Sequence, residues 1–265
     1  MVLSKDNFWD ASARIGLPRN QPPEAGPVTI GGSAEELLAE MDRAGIASAL
    51  VWHVAQADYD AATGNGLLAE AIAPHPRLLG CWSILPPHTG ELYGPGGLDL
   101  WLRIAEGLRI KAMRAMPSIH GYLLRRESLG AILEALAARQ VPLVLPRPHV
   151  DWPAVYDLLA DFPTLTVILG NVGWANERIW RPLLQRYPRC HVETGSYFVS
   201  GGIEGVVRDL GAERLLFGSG FPEAYMGAAM LALQGSAISD EAKAAIAGGN
   251  LRRLLSAAWS TSGPT

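Results

Sequence analysis

Short apolar runs alternate with amphipathic segments along most of the chain. The run 141–145 is apolar throughout and has the length of a buried strand, whereas 127–139 repeats leucine and isoleucine at helical spacing. On this basis the sequence predicts eight strands, each followed by a helical segment. The predicted strands are 7–12, 48–54, 78–85, 109–116, 141–145, 165–169, 190–194 and 214–217.

The alternation of strands and helices predicts how the sheet is built. Strands separated by helices pair in parallel, because the chain crosses over between neighbours. The last four predicted strands follow one another at steps of about 25 residues, and eight strand–helix units fit a chain of 265 residues. We therefore predict an α/β fold, a single (β/α)8 TIM-barrel domain over residues 1–265. The alternative, an open doubly wound sheet, calls for a glycine-rich phosphate loop, and the sequence contains none.

Composition and charge argue against several classes of partner. Hydrophobic residues make up 49% of the chain and charged residues 18%, which is typical of a globular protein with a large core. The net charge of −4, without a block of Lys or Arg, argues against nucleic acid and anionic membrane. No apolar run approaches the ~20 residues of a membrane helix, and no signal peptide is recognisable. A cytoplasmic location is expected.

Residues 216–222, Leu-Phe-Gly-Ser-Gly-Phe-Pro, carry the first family resemblance. They resemble the Phe-Gly-Ser-Asp-Phe-Pro signature of the amidohydrolase-related (amidohydrolase 2) family, which contains decarboxylases, hydratases and lactonases. Further segments resemble motifs of this family in the same order, namely 8–16, 114–122, 141–145, 167–173 and 248–255. The resemblance covers nearly the whole chain and implies a barrel like that of the metal-dependent hydrolases.

The same resemblance implies that the metal ligands of the family are replaced. Ser12, Arg14, Pro146, Asn171 and Gly220 stand where the family has four histidines and an aspartate. Proline and glycine have no ligating side chain, arginine stays protonated, and neutral serine or asparagine are poor sole ligands. We therefore expect a metal-independent protein that uses no cofactor.

Cations occur at predicted strand ends, where a barrel places its site. They are Arg14, Lys111, Arg114 and Arg147. Because a guanidinium binds a carboxylate through two parallel hydrogen bonds, the expected ligand is a small carboxylated molecule, with Arg14 supplying the charge of the missing metal. The alternative is that Lys111 and Arg114 form ion pairs and only stabilise the barrel. Asp10 and Glu193 would then be their partners.

The predicted catalytic residues are His120, Glu193 and Arg14. His120 resembles a loop residue of the family, and an imidazole with a pKa of about 6.5 suits proton transfer near neutral pH. Glu193 ends a predicted strand, although a role in an ion pair is an alternative for it. The residues predicted to contact substrate are Ser12, His53, Lys111, Arg114, Arg147, Asn171 and Ser219.

Two functions therefore remain open on the sequence. The first is a metal-independent hydrolase, or a lyase acting on a carbon–carbon or carbon–oxygen bond, with a small carboxylated substrate. The second is a catalytically inactive family member, a pseudoenzyme, that binds a metabolite or a protein partner. A homodimer is expected from the family resemblance alone.

Overall fold

Eight parallel strands form one sheet that curls into a barrel. The computed structural model describes residues 7–19 and 31–260, and the strands pair in the order β1 to β8. The predicted barrel and all eight predicted strands are confirmed. The strands are β1 (Phe8–Ile15), β2 (Ile46–His53), β3 (Leu78–Ser83), β4 (Ile110–Arg114), β5 (Leu143–Pro146), β6 (Val167–Gly170), β7 (Cys190–Glu193) and β8 (Leu215–Leu216).

The first strand is longer than the sequence predicts. Pro and Gly are frequent in 13–32, which favours a long loop from residue 13. The strand instead continues to Ile15, which pairs with His53 of β2, because Ala13 and Ile15 are apolar and buried in the core. Residues 20–30 of the predicted loop lie outside the described residues.

Side chains complete the closure between β8 and β1, because β8 has only two residues. The amide of Ala11 donates to the carbonyl of Phe217 at 2.8 Å. Beside this contact, the carboxylate of Asp10 accepts the amide of Ser219 at 2.9 Å and also its hydroxyl. A carboxylate thus replaces the ladder hydrogen bonds that so short a strand cannot supply.

Helices follow the strands and cover the outside of the barrel. In α1 the hydroxyl of Ser33 accepts the amide of Glu36 at 3.2 Å, and Gly45 ends the helix at a φ of 87°. The helices are α1 (Ala34–Ala44), α2 (Ala55–Asp58), α3 (Ala61–Ile72), α4 (Gly97–Gly107), α5 (Pro117–His120), α6 (Arg126–Ala138), α7 (Trp152–Asp161), α8 (Glu177–Arg186), α9 (Gly202–Leu210), α10 (Met226–Gly235), α11 (Asp240–Ala244) and α12 (Asn250–Ala257).

An apolar layer fills the inside of the barrel. Seven strands contribute one buried side chain each, namely Ala11, Leu50, Cys81, Ala112, Val144, Ile168 and Leu216. Leu251 and Leu255 of α12 pack against this layer. The turn before α12 lies at the amino end of β1, where Gly248 contacts the backbone of Asn7. The helix therefore closes the amino ends of the strands, and the carboxyl ends form the mouth.

We predict opposite effects of alanine at two glycines of α3. A Cβ at Gly64 would lie 2.5 Å from Cα of Gln56 in α2, whereas a Cβ at Gly66 would meet nothing within 4 Å. Gly64→Ala should cost about 1–3 kcal/mol through overpacking. Gly66→Ala, the matched control, should stabilise by about 0.5–1 kcal/mol because alanine favours the helix. Urea unfolding of both variants measures this, and equal stabilities would contradict the packing.

Candidate functional site

A cavity of about 280 Å³ opens at the carboxyl ends of the strands, and we call it the mouth cavity. Its polar lining consists of Ser12, Arg14, Arg114, Asn171, Ser196 and Glu223. The structure thus brings together four residues that the sequence predicts for the site, from β1, β4 and the end of β6. The cavity lies where TIM barrels place their sites, since every strand directs its carboxyl end there.

Arg114 is a buried cation on the wall of the mouth cavity. Only 8% of the residue is exposed, and its guanidinium lies 4.3 Å from the ring centroid of Trp52. Its Nε has no hydrogen-bond partner, and no carboxylate of residues 7–19 or 31–260 lies within ion-pair distance, 4.0 Å. Burial lowers the pKa of Arg114, although the nearby Cys81 thiol and the charge of Glu193 favour its charged form. The alternative in which Arg114 forms an ion pair with Asp10 or Glu193 is therefore not found in the structure.

Arg14, by contrast, already has a carboxylate partner. Its Nε and one terminal nitrogen both donate to Oε1 of Glu223, at 2.9 and 2.6 Å, and its other terminal nitrogen donates to the carbonyl of Gly16 at 2.5 Å. The arginine side chain is 5% exposed, but that of Glu223 is 64% exposed. The positive charge predicted for Arg14 is therefore present in the cavity, and the exposed carboxylate of Glu223 balances it.

Asp10 is fully buried behind the cavity wall and binds only the protein itself. Its Oδ1 accepts the amides of Ser12 and Ser219, each at 2.9 Å, and its other oxygen accepts the hydroxyl of Ser219. Burial raises the pKa of Asp10, and these hydrogen bonds partly oppose the effect. Ser219 is itself fully buried and does not line the cavity, so its predicted contact with substrate is corrected to a structural role.

Glu193, a predicted catalytic residue, also binds backbone amides with both oxygens. Its Oε1 accepts the amide of Asn171 at 2.7 Å and its Oε2 accepts that of Gly195 at 2.6 Å. Gly218 leaves room for this carboxylate, because a Cβ there would collide with Oε2. Asn171 adopts a φ of 54°, which asparagine tolerates better than most residues. Glu193 thus holds the loops after β6 and β7, which line the cavity, in one arrangement.

Burial raises the pKa of Glu193 above its ordinary value of 4.5. The two amide hydrogen bonds oppose this shift, and the charge of Asp10 adds to it. Two desolvated carboxylates, Asp10 and Glu193, therefore lie beneath the mouth cavity.

Lys111 does not reach the mouth. It is the second residue of β4 and so lies toward the amino end of the strand, whereas Arg114 ends the same strand. At about 3.3 Å per residue, the two are separated by roughly 10 Å along the strand. The structure therefore does not support the predicted substrate contact of Lys111, and the alternative ion pairs of Lys111 with Asp10 or Glu193 are not found either.

The predicted histidines surround the mouth cavity without lining it. Nδ1 of His53 accepts the amide of Ala55 at 3.1 Å, and burial together with the charge of Arg14 lowers the pKa of His53. Nε2 of His120 donates to the carbonyl of Gln56 at 2.8 Å, because a carbonyl can only accept. Nδ1 of His120 is buried and has no hydrogen-bond partner.

A second cavity, of about 640 Å³, lies between the loops that follow β4 and β5, and we call it the outer cavity. Arg147 lines it, 5.4 Å from the ring centroid of Trp152, and Nε of Arg147 has no partner. His149 lines it too, and its pKa is lowered by burial and by the charges of Arg114 and His120. The predicted cation cluster is therefore divided between two neighbouring cavities.

Glu223 and Trp52 lie near strand ends in the sequence, but neither they nor Ser196 are among the predicted catalytic or substrate-binding residues. Their only signal is position, since Trp52 is near the end of β2, Ser196 follows β7, and Glu223 follows β8. Many residues share that property, and only the fold shows which of them face the cavity.

The fold and the site define a TIM barrel with a polar, cationic mouth at the carboxyl ends of its strands. The amidohydrolase family model matches residues 7–256, so the chain belongs to the amidohydrolase family. This confirms the resemblance found in the sequence. No curated protein sequence matches the chain.

Solved structures with the same fold are similar over nearly their whole length. A 2,6-dihydroxybenzoate decarboxylase complexed with 2,6-dihydroxybenzoate has 18% identity and a TM-score of 0.72, over 95% of this chain and 99% of that chain. A 5-carboxyvanillate decarboxylase from Sphingomonas paucimobilis has 16% identity and a TM-score of 0.69, over 94% of this chain and 98% of that chain. An uncharacterized TIM-barrel protein from Bordetella bronchiseptica has 16% identity and a TM-score of 0.70, over 94% of this chain and 98% of that chain. At these identities the likeness establishes the fold alone.

The residues at the mouth do not fit the divalent metal that the family resemblance implies. Among residues 7–19 and 31–260, no group of three or more His, Cys, Asp or Glu side chains is arranged to hold a metal ion. The two nearest carboxylates, Asp10 and Glu193, use both oxygens on the protein's own amides and on Ser219. The guanidinium of Arg14, a cation without acceptor capacity, lines the cavity instead.

Glu193→Gln should destabilise the protein by about 1–3 kcal/mol, because the amide nitrogen leaves one backbone N–H without an acceptor. Since burial raises the pKa of Glu193, the folded wild type binds this proton more tightly than the unfolded chain. The free energy of unfolding of the wild type therefore falls as pH rises from about 4.5 through the raised pKa of Glu193. Glutamine does not titrate, so the variant shows no such fall.

The stability gap between wild type and Glu193→Gln should thus narrow as the pH rises from about 4.5 through the raised pKa of Glu193. Urea unfolding at several pH values measures the gap. Glu106→Gln on the exposed face of α4 is the control, and it should stay within about 0.5 kcal/mol of wild type throughout. A gap that widens with pH would contradict the assigned environment of Glu193.

Proposed function

We propose that this chain binds a small carboxylated molecule in the mouth cavity and acts on it as a lyase or hydrolase without a metal ion. The observation that carries the proposal is Arg114, a desolvated guanidinium on the cavity wall. Its Nε has no partner, and it forms no ion pair with any carboxylate of the described ranges 7–19 and 31–260. A buried guanidinium without a carboxylate to balance its charge is costly to the folded protein, so such a group points to a ligand.

A carboxylate supplies what Arg114 lacks. It accepts charge-assisted hydrogen bonds from a guanidinium and neutralises its charge. The ring of Trp52 covers the guanidinium at 4.3 Å, and Ser12 and Asn171 line the same cavity with a hydroxyl and an amide group. The volume of about 280 Å³ is below the ~300–1,000 Å³ of pockets for drug-sized ligands, which favours a small molecule.

The names of two similar structures point to the same class of ligand. One is a decarboxylase of 2,6-dihydroxybenzoate and the other of 5-carboxyvanillate. Both names describe carboxylated aromatic molecules, which supports a lyase acting on such a molecule among the reactions open to this chain.

In a decarboxylation the electrons of the broken carbon–carbon bond stay on the substrate carbon, carbon dioxide leaves, and a proton takes its place. In our proposal Arg114 orients the carboxylate, and Arg14 stabilises negative charge on the substrate. His120 and Glu193 are the residues we assign to proton transfer, and because neither lines the cavity, the proton passes through a water molecule. The raised pKa of Glu193 supports this role, because it keeps the carboxyl protonated closer to neutral pH.

A second candidate function is ligand binding without turnover. This function is favoured because each proposed catalytic residue already forms hydrogen bonds or an ion pair within the protein. Nε2 of His120 donates to Gln56, both oxygens of Glu193 accept amides, and Arg14 is paired with Glu223. In this case the barrel is a pseudoenzyme whose carboxylate site remains.

Arg114→Met should abolish binding of benzoate, used as a monocarboxylate probe, in calorimetric titrations. The melting temperature of the free protein should stay the same or rise, because the variant removes an unpaired buried charge at similar volume. Arg147→Met in the outer cavity is the matched control, and it should bind benzoate as wild type does. Benzoate binding that survives Arg114→Met, or is lost only in Arg147→Met, would contradict the proposal.

Turnover separates the two candidate functions. Chelator-treated protein is incubated with 2,6-dihydroxybenzoate, other carboxylated aromatics and lactones, and substrate loss is followed by chromatography. Turnover that disappears in Arg114→Met supports the enzyme. Saturable binding through Arg114 without turnover of any compound supports the pseudoenzyme.

A further inference from the structure

We propose that the mouth cavity selects dianions, and that Glu223 occupies the place of the ligand's second carboxylate in the free protein. One carboxylate of the ligand binds Arg114, and the other binds Arg14 after displacing Glu223. This inference rests on the proposed function of the same cavity, since it assumes that Arg114 binds the first carboxylate.

The contact between Arg14 and Glu223 has the geometry of a replaceable partner. Both donor nitrogens of the guanidinium converge on a single oxygen, Oε1, at 2.9 and 2.6 Å, instead of each meeting its own oxygen. A carboxylate that presents both oxygens to an arginine makes the stronger, two-bond arrangement. A ligand carboxylate can therefore improve on the contact that Glu223 makes.

The exposure of the two partners shows which one can leave. The side chain of Arg14 is 5% exposed, whereas that of Glu223 is 64% exposed on the loop after β8. An ion pair with an exposed member contributes little to stability, because water solvates that member almost as well as its partner does. Displacing Glu223 into water therefore costs little.

Arg14 remains in position when Glu223 leaves. Its remaining terminal nitrogen donates to the carbonyl of Gly16 at 2.5 Å, and the buried stem of the side chain is held by the barrel. A binding group that is already oriented loses little conformational entropy when the ligand arrives. The arginine is thus pre-organised for a carboxylate from the cavity.

The two arginines belong to one cavity and flank the same tryptophan. Arg14 is the register partner of Trp52 in the ladder between β1 and β2, and the guanidinium of Arg114 lies over the ring of Trp52. With Glu223 in place, the charged groups of the described residues that line the cavity are two cations and one anion. With Glu223 displaced, two cations remain, and two ligand carboxylates balance them. Beneath them, Asp10 and Glu193 are already bound to amides.

The test compares phthalate, a dianion, with benzoate, a monoanion, by calorimetric titration of the full chain. Glu223→Gln removes the competing charge, so its gain in phthalate affinity should exceed its gain in benzoate affinity by about fivefold. Glu106→Gln makes the same charge change on α4 and serves as the control, with both affinities unchanged. Arg14→Met should lose the preference for phthalate and keep benzoate binding, with circular dichroism confirming that it is folded.

Equal gains for phthalate and benzoate in Glu223→Gln, or no gain, would overturn the inference and leave Glu223 as a purely structural partner of Arg14. The same would follow if wild type bound phthalate no better than benzoate. These outcomes leave the proposed function intact as long as benzoate binding depends on Arg114. Loss of that dependence would instead refute the proposed function.

Discussion

The mouth of this barrel depends on two buried carboxylates that satisfy backbone amides where the sheet ends. Asp10 joins β1 to the loop after β8, and Glu193 joins the loops after β6 and β7. Each accepts amides that no ladder partner reaches, and an unsatisfied buried amide is costly. Both carboxylates are desolvated, which raises the pKa of each. The barrel tolerates this cost because the hydrogen bonds hold the cavity wall in a single arrangement.

The electrostatics of the cavity follow from the same constraint. Asp10 and Glu193 accept hydrogen bonds from the protein itself, and neither lies within ion-pair distance of Arg114. The positive charge of the site is then carried by two guanidinium groups. One is covered by Trp52 and has no acid partner within the described residues, and the other is paired with the exposed Glu223. A guanidinium binds a carboxylate through charge-assisted hydrogen bonds.

The fold could be predicted from the sequence because its signals are local. The site could be predicted only in part, because its contacts join residues that are far apart in the sequence. Apolar runs and helical periodicity lie within single segments, and they predicted all eight strands. Strand ends likewise predicted Ser12, Arg14, Arg114 and Asn171 as neighbours. Lys111 lies near the start of β4 in the predicted strand as in the structure, so its assignment to the mouth was an error of placement. No local pattern could show that Ser219 turns toward Asp10. The partner of Arg14 lies 209 residues away in sequence, and no local rule selects Glu223 from the other acids.

The central claim is that a guanidinium, and not a metal ion, holds the ligand's carboxylate. The most direct measurement is calorimetric titration of benzoate into chelator-treated protein, repeated after addition of zinc or manganese ions. The account predicts saturable binding without metal, with a dissociation constant that added metal changes by less than about twofold. Binding that appears only after metal is added, with one metal ion per chain found by elemental analysis, would contradict it.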